Sequence, residues 1–237
     1  MRKFVILLVV LIVLVVGVDI AGRLVAESKT GEAIATQSRI TPAPDVNIHG
    51  FSFLWQAVGG TYSHVTVSSS NLSAGRLARI TAVADLYGVK LPFSDAISGK
   101  VDNLTAGRAD LVVAIPAAAL SSALGQQNLT VGAGDSGALR ITTTVASGGR
   151  TCAVQVDVKP IVSDGVLHLS AARLIPGPVV VPPGVASQLA KDLTVNLPLT
   201  ALPFPLRSAS AAVEGSELVV KGTAEDVNIG AIIRAAG

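Results

Sequence analysis

The chain opens with fifteen apolar positions in a row, Phe4 to Val18, set behind Arg2 and Lys3 and closed by Asp19. A positive start ahead of such a run predicts an export signal, either a cleaved peptide or a retained anchor. Fifteen residues fall short of the roughly 20 that a spanning helix needs. Ile20, Ala21, Leu24 and Val25 continue a helical pattern past Asp19, and no clean small-x-small cleavage pattern lies around Val16 to Asp19. The expectation is therefore a retained N-terminal anchor or signal over residues 1–19 and an exported domain over residues 20–237. That domain would stand in the periplasm, or be secreted if the segment is cut. With no cysteine near the run, attachment through a lipidated thiol is excluded.

Beyond the run, Ile20 to about Ser38 reads as a helix. Ile20, Leu24, Val25, Ala33 and Ile34 are assigned to its packed side, and Glu27, Lys29 and Glu32 to its wet side. Gly31 weakens its middle, and Pro42 and Pro44 end it. The texture then turns to alternation with a period of two, broken by Gly, Asn, Asp and Ser. Ile80, Ala82, Ala84 and Leu86 share one strand face. Ala109, Leu111, Val113 and Ile115 share another. Leu139, Ile141, Thr143 and Val145 face the same way, as do Cys152, Val154, Val156 and Val158, with Ser147-Gly148-Gly149 as the hairpin turn between them. Leu167, Leu169 and Ala171, then Leu218 and Val220, continue the pattern. One apolar face per strand means an antiparallel sheet with a wet side. Two short helices opened by proline interrupt the strands, Pro116 to Leu124 and Pro183 to about Leu193. The order lacks a strand-helix-strand rhythm, so the fold class expected is α+β: a long N-terminal helix packed on a strongly curved antiparallel sheet with two or three short helices.

Charge narrows the function. Arg2 and Lys3 account for the whole net charge of +2, since residues 19–237 carry 16 Lys and Arg against 16 Asp and Glu. No basic stripe is present to displace phosphate counterions, which sets nucleic-acid binding aside. One cysteine, Cys152, forms no internal disulfide, so the fold must stand on its core. The chain is 50% hydrophobic yet only 3% aromatic. An interior of Ala, Val, Leu and Ile reaches normal density by close approach of its elements, or leaves a groove for something else to fill.

Most chemical motifs fail on context. Gly132-Ala133-Gly134-Asp135-Ser136-Gly137 matches both a dinucleotide loop and the Gly-Asp-Ser-Gly of serine proteases. The first needs a helix directly after it, whereas Leu139 to Val145 alternates as a strand. The second needs a histidine in a matching setting, which neither His49 nor His64 has. A turn is the reading adopted, against a hydrolase using Ser136. His49, His64 and His168 have no ligand spacing, so no metal site and no cofactor are expected. Asn71, Asn103 and Asn128 begin glycosylation sequons, read here as turn residues.

One cluster stands apart. Val46 to Gln56 gathers Phe51, Phe53 and Trp55, two of five phenylalanines and the only tryptophan of the chain. Ile48-x-Gly50-Phe51-x-Phe53-Leu54-x-Gln56, followed by Gly60, Tyr62 and alternating Val65-Thr66-Val67, resembles the signature of LmeA-like phospholipid-binding proteins of actinobacterial cell envelopes. Asp85-Leu86-Tyr87-Gly88-Val89 with Pro92-Phe93, the strand into Ile115-Pro116, and Leu202-Pro203-Phe204-Pro205-Leu206 before Gly215 and Gly222 are similar to that family's later landmarks. Ser52 stands where the family usually has proline, and Trp55 precedes the glutamine.

The resemblance implies a fold like the tubular lipid-binding superfamily, with a hydrophobic groove. It implies phospholipid binding at the membrane surface, no enzymatic activity and a part in maintaining envelope lipoglycans. In the lipid-binding site expected here, Phe51, Phe53, Leu54 and Trp55 form or edge the mouth. Ala82, Leu86, Phe93, Leu111, Val113 and Phe204 line the interior, and Arg76 and Arg79 are candidates for a phosphate headgroup. A monomer is expected. The rival from another class is a ligand-free structural protein of the envelope whose sheet packs shut.

Overall fold

The computed structural model describes residues 2–38, 42–74, 76–98, 100, 102–126, 129–147, 150–175, 181–198 and 208–231. In chain order they form α1 (Arg2–Ser38), β1 (Asp45–His49), α2 (Phe53–Gly59), β2 (Thr61–Ala74), β3 (Leu77–Lys90), α3 (Phe93–Ser98), β4 (Thr105–Pro116) and α4 (Ala117–Leu124). There follow β5 (Thr130–Ala133), a 3-10 turn at Asp135–Gly137, β6 (Leu139–Ser147), β7 (Arg150–Ser163), β8 (Val166–Ile175), α5 (Pro183–Asp192), β9 (Val195–Pro198), β10 (Ser208–Glu214) and β11 (Glu217–Asn228). The class is α+β with antiparallel pairing, as the alternation predicts. The strands divide into two sheets, in the orders β1-β2-β3-β4-β11-β10 and β5-β6-β7-β8-β9. The alternation alone predicts a single sheet, because strands of both sheets carry the same one-sided pattern.

Two compact units share the chain. The first comprises Met1–Ser69, Ala84–Ala109 and Glu225–Gly237, the second Ser70–Val83 and Asp110–Ala224.

In the first unit α1 packs against β1, α2 and α3, through a face other than the one expected. Ile20, Leu24 and Val25 are 56%, 61% and 62% exposed, so the assignment of these three to the packed side is corrected. Only Ile34 of that set is buried, with Ala33 half-buried. The side turned to the rest of the unit carries instead Asp19, Gly22, Glu27, Gly31 and Ile34. The physical reason is that the neighbouring backbone brings unpaired donors. Glu27, assigned to the wet side, accepts the Ile48 N–H through Oε1 at 2.7 Å and pairs with Arg23 at 3.4 Å. Gly31 is where the chain entering β1 comes closest: a Cβ there would lie 2.6 Å from the Pro44 carbonyl oxygen.

The strands of the six-stranded sheet carry a second departure from simple alternation. Along β3 the buried positions run Leu77, then Ile80, Ala82, Ala84 and Leu86, then Val89. The period slips by one residue at Arg79 and again at Tyr87-Gly88, and Arg79 and Gly88 take φ of 58° and 60°. Between Ala224 and Val227 in β11 the slip recurs, with Asp226 at φ 51°. In β4 it falls between Ala106 and Ala109. An extra residue with positive φ opposite one partner is the signature of a β-bulge, which bends its strand and increases the local twist.

In the second unit β6 and β7 pair from Leu139↔Val158 to Ser147↔Arg150, placing the expected hairpin, whose turn residues 148 and 149 lie outside the described residues. Leu139, Ile141, Val154, Val156, Val158, Leu167 and Leu169 are all buried, so the aliphatic faces meet as predicted. Helix α4 opens at Pro116 and closes at Gly125 in the left-handed conformation, and α5 starts at Pro183. Both proline-opened helices stand where the sequence placed them.

Candidate functional site

The aromatic cluster folds as α2, whose formation follows from its two ends. Ser52 takes a non-helical conformation and accepts the Trp55 N–H at 3.4 Å, while Gly60 closes the helix at φ 63°. The decisive partner lies on α1. Asp19 accepts the Phe53 N–H at 3.0 Å and the Leu54 N–H at 2.7 Å, and takes a further bond from the Ser52 hydroxyl at 3.1 Å. A helix start exposes N–H groups with no intrahelical acceptor, and a carboxylate is the strongest group to satisfy them. The Leu54 hydrogen bond, opposed by partial burial and reinforced by Phe53 and Ser52, holds the Asp19 carboxyl below the usual range. Gly22 faces α2, and a Cβ there would meet the Phe53 ring in ordinary contact at 3.4 Å.

This docking sorts the cluster into two faces. Phe53 and Ala57 are buried, and the Phe53 ring lies 6.2 Å from Tyr62. Leu54 is half-buried. Phe51, Trp55 and Val58 stand 97%, 83% and 76% exposed. Leaving a side chain of this size in water forgoes about 1.5–3 kcal/mol, and three neighbours doing so mark an interaction surface.

The expected lining residues separate. Ala82, Leu111 and Val113 are buried in the second unit, on the inward faces of β3 and β4. Leu86 is buried in the first. Phe93, expected inside, is 45% exposed at the start of α3. Phe93 opens a helix of 6 residues directly after Pro92. Phe204 lies outside the described residues. Arg76 and Arg79 are exposed, Arg79 at a bulge.

The Gly-Asp-Ser segment of the second unit is a turn. Gly134 N–H donates to the Ala138 carbonyl at 2.8 Å and Ala138 N–H to the Asp135 carbonyl at 3.1 Å. It is tied down by charge. Asp157, buried in β7 beside a register shift, receives Arg140 through two bonds of 2.8 and 3.1 Å and Arg173 at 3.3 Å. Arg173 also contacts Asp135. The Arg140 bond, against the penalty of burial and with Arg173 adding to it, keeps the Asp157 carboxyl below its ordinary value. Beside Arg173, β8 and α5 enclose a cleft of about 100 Å³ lined by Val156, Ala171, Ala172, Leu174, Ala186 and Ala190. It is smaller than the roughly 300–1,000 Å³ of a typical ligand pocket.

On the wet side of the first unit, His49 and His64 stack at 4.4 Å and His64 and Tyr87 at 4.7 Å, with the Arg108 guanidinium 5.8 Å from the Tyr87 ring centre. Asp85 accepts from Thr66 at 2.7 Å and lies 2.9 Å from His64 Nε2. Burial raises its carboxyl, and the two hydrogen bonds outweigh that, leaving it lowered overall. The arrangement is a cross-strand ladder of polar rings. No group of three His, Cys, Asp or Glu suited to a metal ion occurs among the described residues.

Sequence reasoning missed Asp19, Glu27 and Val58. Asp19 had a legible signal, as an acidic residue inside a continuous helical pattern. Its partner sits 35 residues on, which no local pattern shows. Among the described residues no helix is long and apolar enough to cross a membrane. Residues 17–223 match the model of the family described as LmeA-like phospholipid-binding. No curated protein and no solved structure matches the chain.

Proposed function

The chain belongs to the LmeA-like phospholipid-binding family, and from that premise we propose that it binds a phospholipid on the outer side of the cytoplasmic membrane and serves the upkeep of envelope lipids or lipoglycans. The observation that carries this reading is the match over residues 17–223. The physical support is an interior of aliphatic side chains; Ala82, Leu111 and Val113 lie buried on inward faces, so a hydrocarbon chain reaches them where the aliphatic side chains around them part. Each methylene moved out of water contributes about 0.8 kcal/mol, so an aliphatic surface holds an acyl chain with little help from polar contacts and with tolerance for lipid type. Phe51, Leu54 and Trp55 are the lipid-facing residues of the first unit. The run Phe4–Val18 enters the bilayer as an uncleaved anchor, and the domain acts as a monomer on the membrane surface.

The test is mass spectrometry of the natively purified chain, with uptake of phospholipid from vesicles after delipidation. Bound phospholipid and recovered uptake are expected. A gentle organic extract free of lipid, with no uptake, would refute the reading in favour of a ligand-free scaffold. Ala82→Phe sharpens it. If hydrocarbon occupies the space beside Ala82, the ring takes its place and uptake falls several-fold with stability kept. If side chains already fill that space, overpacking costs about 1–3 kcal/mol and uptake is unchanged.

A further inference from the structure

Trp55 and Val58, three residues apart on α2, share the face opposite the buried Phe53 and Ala57, and Phe51 stands exposed just ahead of the helix, before its cap Ser52. On α1 an exposed stripe runs through Val16, Ile20 and Leu24, at 51%, 56% and 61% exposure. Both surfaces belong to the first unit, and the junction between α1 and α2 is fixed by the three bonds that Asp19 accepts. Asp19 directly follows the apolar run.

We infer that α2 is a second membrane contact, lying in the headgroup region of the bilayer that α1 enters, with Phe51, Trp55 and Val58 turned into the lipid. The inference rests on the proposed entry of Phe4–Val18 into a bilayer, and not on a bound lipid. The run of fifteen residues rises about 22 Å as a helix, less than the roughly 30 Å of hydrocarbon. A short insert draws its flanking residues against the membrane. The first flanking residue is Asp19, which carries α2 with it. The boundary suits each group there: tryptophan favours it, a helix with one apolar face lies in it with that face sunk about 5–10 Å, and the Asp19 carboxylate meets backbone donors and no hydrocarbon. Continuity with the inserted run selects the bilayer over a second copy of the chain as the occupant.

Trp55 is the only tryptophan, so its fluorescence reports this surface alone. The full chain is reconstituted into vesicles of phosphatidylcholine and phosphatidylglycerol and floated on a density gradient. The expected result is a blue-shifted Trp55 emission and iodide quenching several-fold weaker than for the chain without vesicles. Lipids brominated near the glycerol end should quench more strongly than lipids brominated near the methyl end. Asp19→Asn should restore iodide access in chain that still floats, and Phe51→Ser with Val58→Ser should weaken the protection while Asp19 is intact. Floating chain whose Trp55 stays open to iodide would overturn the inference alone. Chain that fails to float would overturn it together with the anchor reading, and lipid content by mass spectrometry reports separately on phospholipid binding. Protection that grows with protein concentration in the absence of vesicles would assign this surface to a second copy and overturn the inference too.

Discussion

Asp157→Asn tests whether the buried carboxylate organises the second unit. The Asp157 side chain is 5% exposed, against 27% for Arg140 and 58% for Arg173, so the desolvated charge is the aspartate and its neutralisation falls chiefly on one partner. Removing one member of a fully buried pair costs about 3–5 kcal/mol. Arg140 keeps access to water and asparagine can still accept one bond, so a loss of about 2–3 kcal/mol is expected, from charge-assisted bonds worth about 1.5–3 kcal/mol each. Urea unfolding followed by far-ultraviolet circular dichroism measures it, and the midpoint of thermal unfolding should fall by about 2–4 °C per kcal/mol for a chain of this size. Arg140→Gln completes a double-mutant cycle, in which the two losses should fall short of additivity. The lowered Asp157 pKa sets the pH dependence. A carboxyl depressed on folding contributes fully above its unfolded value, about 3.9, and loses that contribution as pH falls through its folded value. The difference between wild type and Asp157→Asn should therefore be flat from neutral pH to about pH 5 and shrink below about pH 4. Additive single mutants, or a difference that persists unchanged into acid, would refute the reasoning.

Gly31→Ala sets helix propensity, which favours alanine by about 1 kcal/mol, against a Cβ placed 2.6 Å from the Pro44 carbonyl oxygen. Because that contact is backbone, the clash should prevail with a net loss of about 1–3 kcal/mol, and a raised melting temperature would show that β1 gives way freely. Ser136→Gly relieves a residue at φ 55°, so a gain of about 0.5–1 kcal/mol is expected in urea, with bound lipid unaltered. A nucleophilic role for Ser136 would instead appear as a lost activity.

How much of this was legible can be followed residue by residue. The faces Ile80-Ala82-Ala84-Leu86 and Leu139-Ile141-Thr143 were plain, because an inward strand face must be apolar at every second position. Helices α4 and α5 announced themselves by proline at the start. Helix α2 was not visible, since 7 residues give too few turns for a period to show and its stability comes from Asp19, far away in sequence. Asp157 read as an outward residue of the Val154-Val156-Val158 strand. It does face away from those valines, and it is buried there by Arg140 and by Arg173, which the shift at Asp157/Val158 sets opposite it; the one hint was Arg140 standing opposite it in register. The α1 stripe was inverted for a similar reason: apolar periodicity locates a packed face only when burial is what the helix is for. Here Asp19 and Glu27 face the rest of the unit because they accept N–H groups, and Ile20 and Leu24 are left exposed.

The slips in β3 have a bearing on how the chain tolerates change in length. Deleting one residue inside Ile80–Leu86 would exchange the oily and wet sides of everything downstream in that strand. Deleting one of Tyr87 and Gly88, by contrast, leaves Leu86 and Val89 on the same side and only straightens the segment. The same holds at Arg79, between Ala106 and Ala109, and at Asp226. Insertions and deletions that spare the fold are therefore expected to gather at these four points, where a single residue can be lost or gained without turning the sheet inside out.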